Sequence, residues 1–129
     1  MGRRLPGNMK QNYQDLAVWQ RAIDLVPRIY ELTRSFPKFE TYAMADQMRR
    51  AAVSIPANIA EGQGRQHPRE FLQHLAIAKG SLAELHTLVI VAQRLAYLDT
   101  AALAQWEEAL SQIRRPLVGL MAKLGTVVD

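Results

Sequence analysis

Residues 68–96, PREFLQHLAIAKGSLAELHTLVIVAQRLA, place Phe71, Leu75, Ala78, Leu82, Leu85, Val89, Ala92 and Ala96 at alternating steps of four and three. That spacing predicts one long helix with a single apolar seam, packed against near-parallel neighbours. Pro68 suits its first position, where a missing N–H leaves no bond unmade. A second row, Ile77, Ser81, Glu84, Leu88, Val91 and Leu95, makes the C-terminal half apolar on more than one side. Monomers seldom leave such a face in water, so Leu88, Val91 and Leu95 are the candidate contact with another copy of the chain. A central place for this helix in a monomeric bundle is the competing explanation.

The same period recurs on both sides. Upstream, about 40–61 carries Ala45, Met48, Ala52, Ile55 and Ile59 on one stripe, and Gly62-Gln63-Gly64 offers a left-handed C-terminal cap. Before it, about 15–34 aligns Trp19, Ala22, Val26, Ile29 and Thr33 behind Asp15 as N-cap, and Ser35-Phe36-Pro37 stops it. Downstream, Asp99-Thr100 opens a segment in which Leu103, Trp106, Leu110, Ile113, Leu117, Leu120 and Leu124 keep the pattern until Gly125. No alternating β pattern competes. Four helices with short connections predict an all-α, antiparallel up-down-up-down four-helix bundle over 13–125. A flexible basic tail, 1–12, with Met9 as a second candidate start, and a short tail, 126–129, flank it. Pro27, Pro56 and Pro116 fall inside helical patterns and should bend their axes.

The chain has 129 residues, 49% of them hydrophobic and 22% charged, which is the profile of one globular domain with its own core. It contains no cysteine, so disulfides, zinc–thiolate sites and thiol nucleophiles are excluded. The most apolar stretch, 85–98, is interrupted by His86, Thr87, Gln93 and Arg94, and the N-terminus has no apolar leader; a cytoplasmic protein without membrane contact is expected. The net charge of +4 is local. Arg3, Arg4 and Lys10 give +3 in the tail, and Arg49, Arg50, Arg65 and Arg69 against Glu61 give +3 over 47–69. The other nine bases and eleven acids sum to −2.

Enzyme signatures are missing: there is no nucleophile elbow, phosphate loop, H-E-x-x-H pair or Glu-x-x-His motif. Among His67, His74 and His86, only His74 forms an i, i+4 pair with a carboxylate on one helical face, with Glu70, and that pair reads as a surface ion pair. Gly80 and Ser81 read as small residues at a close helix crossing. No catalytic residue, cofactor or metal is expected. Over 47–65, Ser54 and Asn58 lie one turn apart around Pro56, which frees the carbonyl of Ala52 for such side chains or a water to satisfy; a structural polar cluster follows. Arg49, Arg50, Arg65 and Arg69, with Lys38, form a candidate phosphate-contacting corner between the second and third helices. Against it stand a solvated-face reading, neutralisation of Arg50 by Asp46 at i−4, and the lack of interleaved exposed aromatics.

Tyr13–Gln20, Ile29–Thr33, Phe36-Pro37 with Glu40, Gln47–Gly62 and Ala78–Leu85 together resemble the bacterial four-helix bundle family that includes the 23S rRNA intervening-sequence proteins. The run Ser54-Ile55-Pro56-Ala57-Asn58-Ile59-Ala60-Glu61-Gly62 is the most specific part. The resemblance covers about 13–125. It implies a ring-like homo-oligomer, a pentamer, without known enzymatic activity. The family is named for genes inside insertions of large-subunit rRNA genes, which does not establish ribosome binding. A more distant relative by fold is the nucleic-acid-binding accessory protein of diversity-generating retroelements. Departures are Met44 for the usual Leu, His86 where an acid is common, and Pro116. The leading expectation is therefore a non-catalytic homo-oligomeric bundle contacting an RNA or DNA backbone. The alternative is a protein-interaction scaffold with no nucleic-acid contact.

Overall fold

A computed structural model describes residues 12–128; the basic tail expected over 1–12 lies, except for Asn12, outside the described residues. The chain forms α1 (Ala17–Arg34), α2 (Met44–Gly64), α3 (Pro68–Arg94) and α4 (Thr100–Gly125), with single 3₁₀ turns at Tyr13–Asp15 and Lys38–Glu40. The contacts close a ring, α1 on α2, α2 on α3, α3 on α4 and α4 on α1, with α2–α3 the most extensive. This is the four-helix bundle that the periodicity predicts.

The α3 seam from Phe71 to Ala92 is buried throughout, as are Ala45, Met48, Ala52, Ile55 and Ile59 of α2 and Leu110, Ile113, Leu117, Leu120 and Leu124 of α4. By length and hydropathy α3 also qualifies as a membrane span, which the interruptions in 85–98 concealed. Its seam packs instead at the centre of the bundle core. In α1 the buried line is Val18, Ala22, Leu25, Ile29 and Thr33, which keeps Ala22, Ile29 and Thr33 of the expected line and puts Val18 and Leu25 in place of Trp19 and Val26. Trp19 and Val26 flank it half-buried, and the Trp19 ring lies 5.4 Å from that of Tyr13.

The helix ends depart from expectation in instructive ways. Asp15 lies in the first 3₁₀ turn, which Asn12 caps by accepting the Gln14 N–H, and α1 starts from extended Leu16. The segment at Glu40 forms the second 3₁₀ turn rather than the start of α2. Gly62 and Gly64 remain helical; the left-handed residue after α2 is Gln66, with φ 57°. α3 stops at Arg94 because Ala96 turns left-handed at φ 65°. There the N–H groups of Ala96 and Tyr97 bond back to the carbonyls of Gln93 and Ala92, both at 2.9 Å, closing the last turn. Tyr97 is thereby aimed at the α1–α2 connection, where its hydroxyl donates to Oε2 of buried Glu40 at 2.8 Å and its ring packs on Phe36. The Glu40 bond, reinforced by burial, raises the Tyr97 hydroxyl above its ordinary pKa. Asp99 caps α4 through the Ala102 N–H, as expected of an Asp-Thr start.

Helices run on through all three internal prolines. Pro116 deprives the Gln112 carbonyl of its helical donor, and Arg21 Nη1 of α1 supplies one at 2.9 Å. The proline thus becomes a cross-link between the first and last helices.

Candidate nucleic-acid interface

Gly62 brings α2 and α3 together. A Cβ there would lie 2.7 Å from Cβ of His74 and 3.0 Å from the Phe71 ring, so only glycine fits. Beside this contact runs a polar chain. Nδ2 of Asn58 donates to the carbonyl and hydroxyl of Ser54, at 2.9 and 3.0 Å, and the Ser54 hydroxyl meets that of Ser81 at 2.8 Å. With its amide nitrogen so engaged, Asn58 has Oδ1 left to accept Nδ1–H of His74 at 3.1 Å. Nε2 of His74 then faces Glu61 at 3.8 Å. Glu61 accepts from Arg65 at 2.9 Å, and Arg65 reaches Glu70 at 3.3 Å. The Arg65 bond first, and the His74 charge second, hold the Glu61 carboxyl below its ordinary value, while Glu61 raises that of Arg65.

The motif residues Ser54, Asn58, Glu61 and Gly62, with Pro56 buried in the same helix, therefore fasten α2 to α3. Two details differ from expectation. Asn58 serves the Ser54 carbonyl rather than that of Ala52, and His74 is claimed by Asn58 and Glu61 while Glu70 turns to Arg65. Ser81 does sit at the crossing, whereas Gly80 faces open space.

The five basic candidates do not share one corner. Sixteen residues, about 24 Å of helix, separate Arg49 from Arg65. Arg65 and Arg69 stand at the α2–α3 connection, while Arg49, Arg50 and Lys38 stand at the opposite end, beside the α1–α2 connection. The carboxylates of Glu61 and Glu70 occupy Arg65. Arg49 donates to the Thr41 carbonyl at 2.8 Å and lies over the Tyr30 ring at 5.8 Å. Arg50 pairs with Asp46 at 2.8 Å but keeps its side chain 80% exposed, so that pair is a weak competitor for another anion. Lys38 is exposed.

The α1–α2 end also holds what sequence reading missed. Phe39 is 75% exposed, Tyr42 93% and Tyr30 40%. Tyr30, Asp46, Arg49, Arg50, Val53 and Ser54 line a shallow cleft of about 360 Å³. The basic groups here are thus interleaved with exposed aromatics. Assigning 40–43 to a helix hid this; the turn residues Pro37, Lys38 and Thr41 around Phe39 and Tyr42 are the signal that marks a loop. Along the outer side of α3, Ile77, Val91 and Leu95 are exposed and Leu88 is half-buried against the core. Among the described residues no three His, Asp or Glu side chains converge.

The model of the 23S rRNA-intervening sequence protein family matches residues 14–119. A solved structure of a protein of unknown function from the S23 ribosomal protein family of Bacteroides thetaiotaomicron is similar over 88% of this chain and 99% of that one. Its TM-score is 0.60 at 21% identity, a likeness of fold. No curated protein matches the chain.

Proposed function

Because the chain belongs to the 23S rRNA-intervening sequence protein family, we propose that it is a non-catalytic, self-associating bundle whose α1–α2 end binds single-stranded nucleic acid. The observation that carries this reading is the juxtaposition of arginine and exposed aromatic groups at that end: Arg50 and the Arg49–Tyr30 stack beside Phe39 and Tyr42. Single strands are held by a cationic track along their phosphates and by aromatic faces on which bases stack, at about 1–3 kcal/mol per stacked base. Lys38 and Arg50 supply the first, Phe39 and Tyr42 the second. One end of one subunit offers few contacts. Repeated around an oligomer through Leu88 and Val91 of α3 and Leu95 at its C-terminal cap, the same end engages a strand several times, and avidity multiplies.

The test is binding of a labelled single-stranded oligoribonucleotide over a range of salt. Phe39→Ala with Tyr42→Ala should weaken binding at least tenfold, and Arg50→Gln should lower its salt dependence. Affinity indifferent to all three changes sinks the reading. The alternative, a protein-interaction scaffold, draws on the exposed apolar row Ile77, Val91 and Leu95. It is favoured if a stoichiometric protein partner survives nuclease treatment and those aromatics prove dispensable for strand binding.

A further inference from the structure

On the outer groove between α3 and α4, Nε2 of His86 meets Oε2 of Glu107 at 2.8 Å. Antiparallel register from that pair sets Ala83 opposite Ser111 one turn further on, and Lys79 opposite Arg114 one turn beyond that. Together these residues line a cleft of about 440 Å³ whose floor is Leu82 and Leu110. The volume is within the roughly 300–1,000 Å³ range of small-molecule sites.

The charges in this groove are unevenly satisfied. His86 and Glu107 engage each other. Lys79 and Arg114 line the cleft from its two helices, and among the described residues neither has an acid, carbonyl or aromatic partner. Two cations across a groove repel, and an anion placed between them converts that repulsion into two attractions. Ala83 is small enough to keep the space open, and the Ser111 hydroxyl is a ready donor within it. The Glu107 carboxylate lies two turns away, about 10 Å along the helix, roughly a Debye length in physiological salt. It leaves the cationic end of the cleft uncompensated.

We infer that this cleft binds a phosphate group. The Arg114 guanidinium presents two parallel N–H groups to a pair of phosphate oxygens, Lys79 adds a point charge, and Ser111 a hydrogen bond. The phosphate belongs either to a nucleic-acid backbone or to a free nucleotide. The site is on the opposite helix pair from the aromatic end and does not depend on strand binding there.

The full chain titrated with inorganic phosphate, with AMP and with a short single-stranded oligoribonucleotide, followed by amide NMR, tests the inference. Saturable shifts confined to 79–86 and 107–114 are expected with phosphate. Lys79→Gln with Arg114→Gln, both on exposed helix surface, should weaken phosphate binding at least tenfold. Glu107→Gln, whose carboxylate lies about a Debye length from the cationic end, should leave phosphate binding within about twofold. A backbone source is indicated if the double variant also weakens the oligoribonucleotide and lowers the slope of log K against log salt by about 0.7, the value for one single-strand phosphate contact. A nucleotide source is indicated if AMP and phosphate binding fall while the oligoribonucleotide is unaffected. Phosphate binding unchanged in the double variant, or weakened as strongly by Glu107→Gln as by the double variant, overturns the inference. A defect seen with Phe39→Ala, Tyr42→Ala or Arg50→Gln alone bears on the α1–α2 end and leaves this site untouched.

Discussion

Replacing Gly62 with alanine sets two opposed effects against each other. Alanine is favoured over glycine in a helix interior by about 1 kcal/mol. The added methyl, however, would stand 2.7 Å from Cβ of His74, 3.0 Å from the Phe71 ring and 3.3 Å from the Phe71 carbonyl. Its closest approach is about 0.8 Å inside the shortest comfortable carbon separation. The first obstacle is a Cβ and the third a backbone atom, so a rotamer change cannot relieve the strain; α2 and α3 must move apart. Overpacking of this kind costs about 1–3 kcal/mol, and separation of the helices also stretches the Asn58–His74 bond. The net expectation is destabilisation by about 0–2 kcal/mol after the propensity gain is subtracted. Gly80→Ala is the matched control, since a Cβ there meets nothing within 4 Å. It should stabilise by about 0.5–1 kcal/mol. Thermal and urea unfolding at one fixed protein concentration measures both, with about 4 °C expected per kcal/mol for a domain of this size. Gly62→Ala matching or exceeding the stability of Gly80→Ala would refute the close-crossing argument.

Three more predictions follow from single contacts. Ala96→Gly should raise stability by about 0.5–1 kcal/mol in urea unfolding, because glycine adopts the left-handed conformation without the penalty that alanine incurs. Arg21→Ala should cost about 0.5–1.5 kcal/mol by removing the donor to Gln112, and less in a Pro116→Ala background, where the helix regains its own donor; a double-mutant cycle reads the coupling. The lowered carboxyl of Glu61 makes a contribution that is fully present above the unfolded value of 4.5 and is lost as pH falls through the folded one. Glu61→Gln should accordingly flatten the acid limb of a stability–pH curve, leaving neutral and alkaline slopes alone.

The bundle was legible because α2, α3 and α4 each carry one unbroken apolar line at helical spacing, and every residue of those lines from Phe71 to Ala92 and in α2 is buried. In α1 Ala22, Ile29 and Thr33 are buried as expected, but the buried neighbours Val18 and Leu25 take the places expected for Trp19 and Val26. Trp19 is large but stays at the flank against Tyr13, and residue size alone does not say which side of a helix meets its neighbours. The glycines misled for a related reason. A glycine after a helical pattern suggests a cap, yet Gly62 is needed for space, which becomes visible only when His74 and Phe71 are placed opposite it. The basic cluster failed on distance: Arg49 and Arg65 are near in a list of charges but at opposite ends of α2. Pairing Lys79 with Arg114 requires the register of two helices 35 positions apart, which no reading of one helix supplies.

Ultraviolet cross-linking of the full chain to a single-stranded RNA, with the adducts located by mass spectrometry, tests strand binding at the α1–α2 end most directly. Adducts should concentrate on Phe39 and Tyr42, with Tyr30 next, and should fade as salt rises. Adducts absent from that end, or lying only on other faces of the bundle, would contradict the assignment.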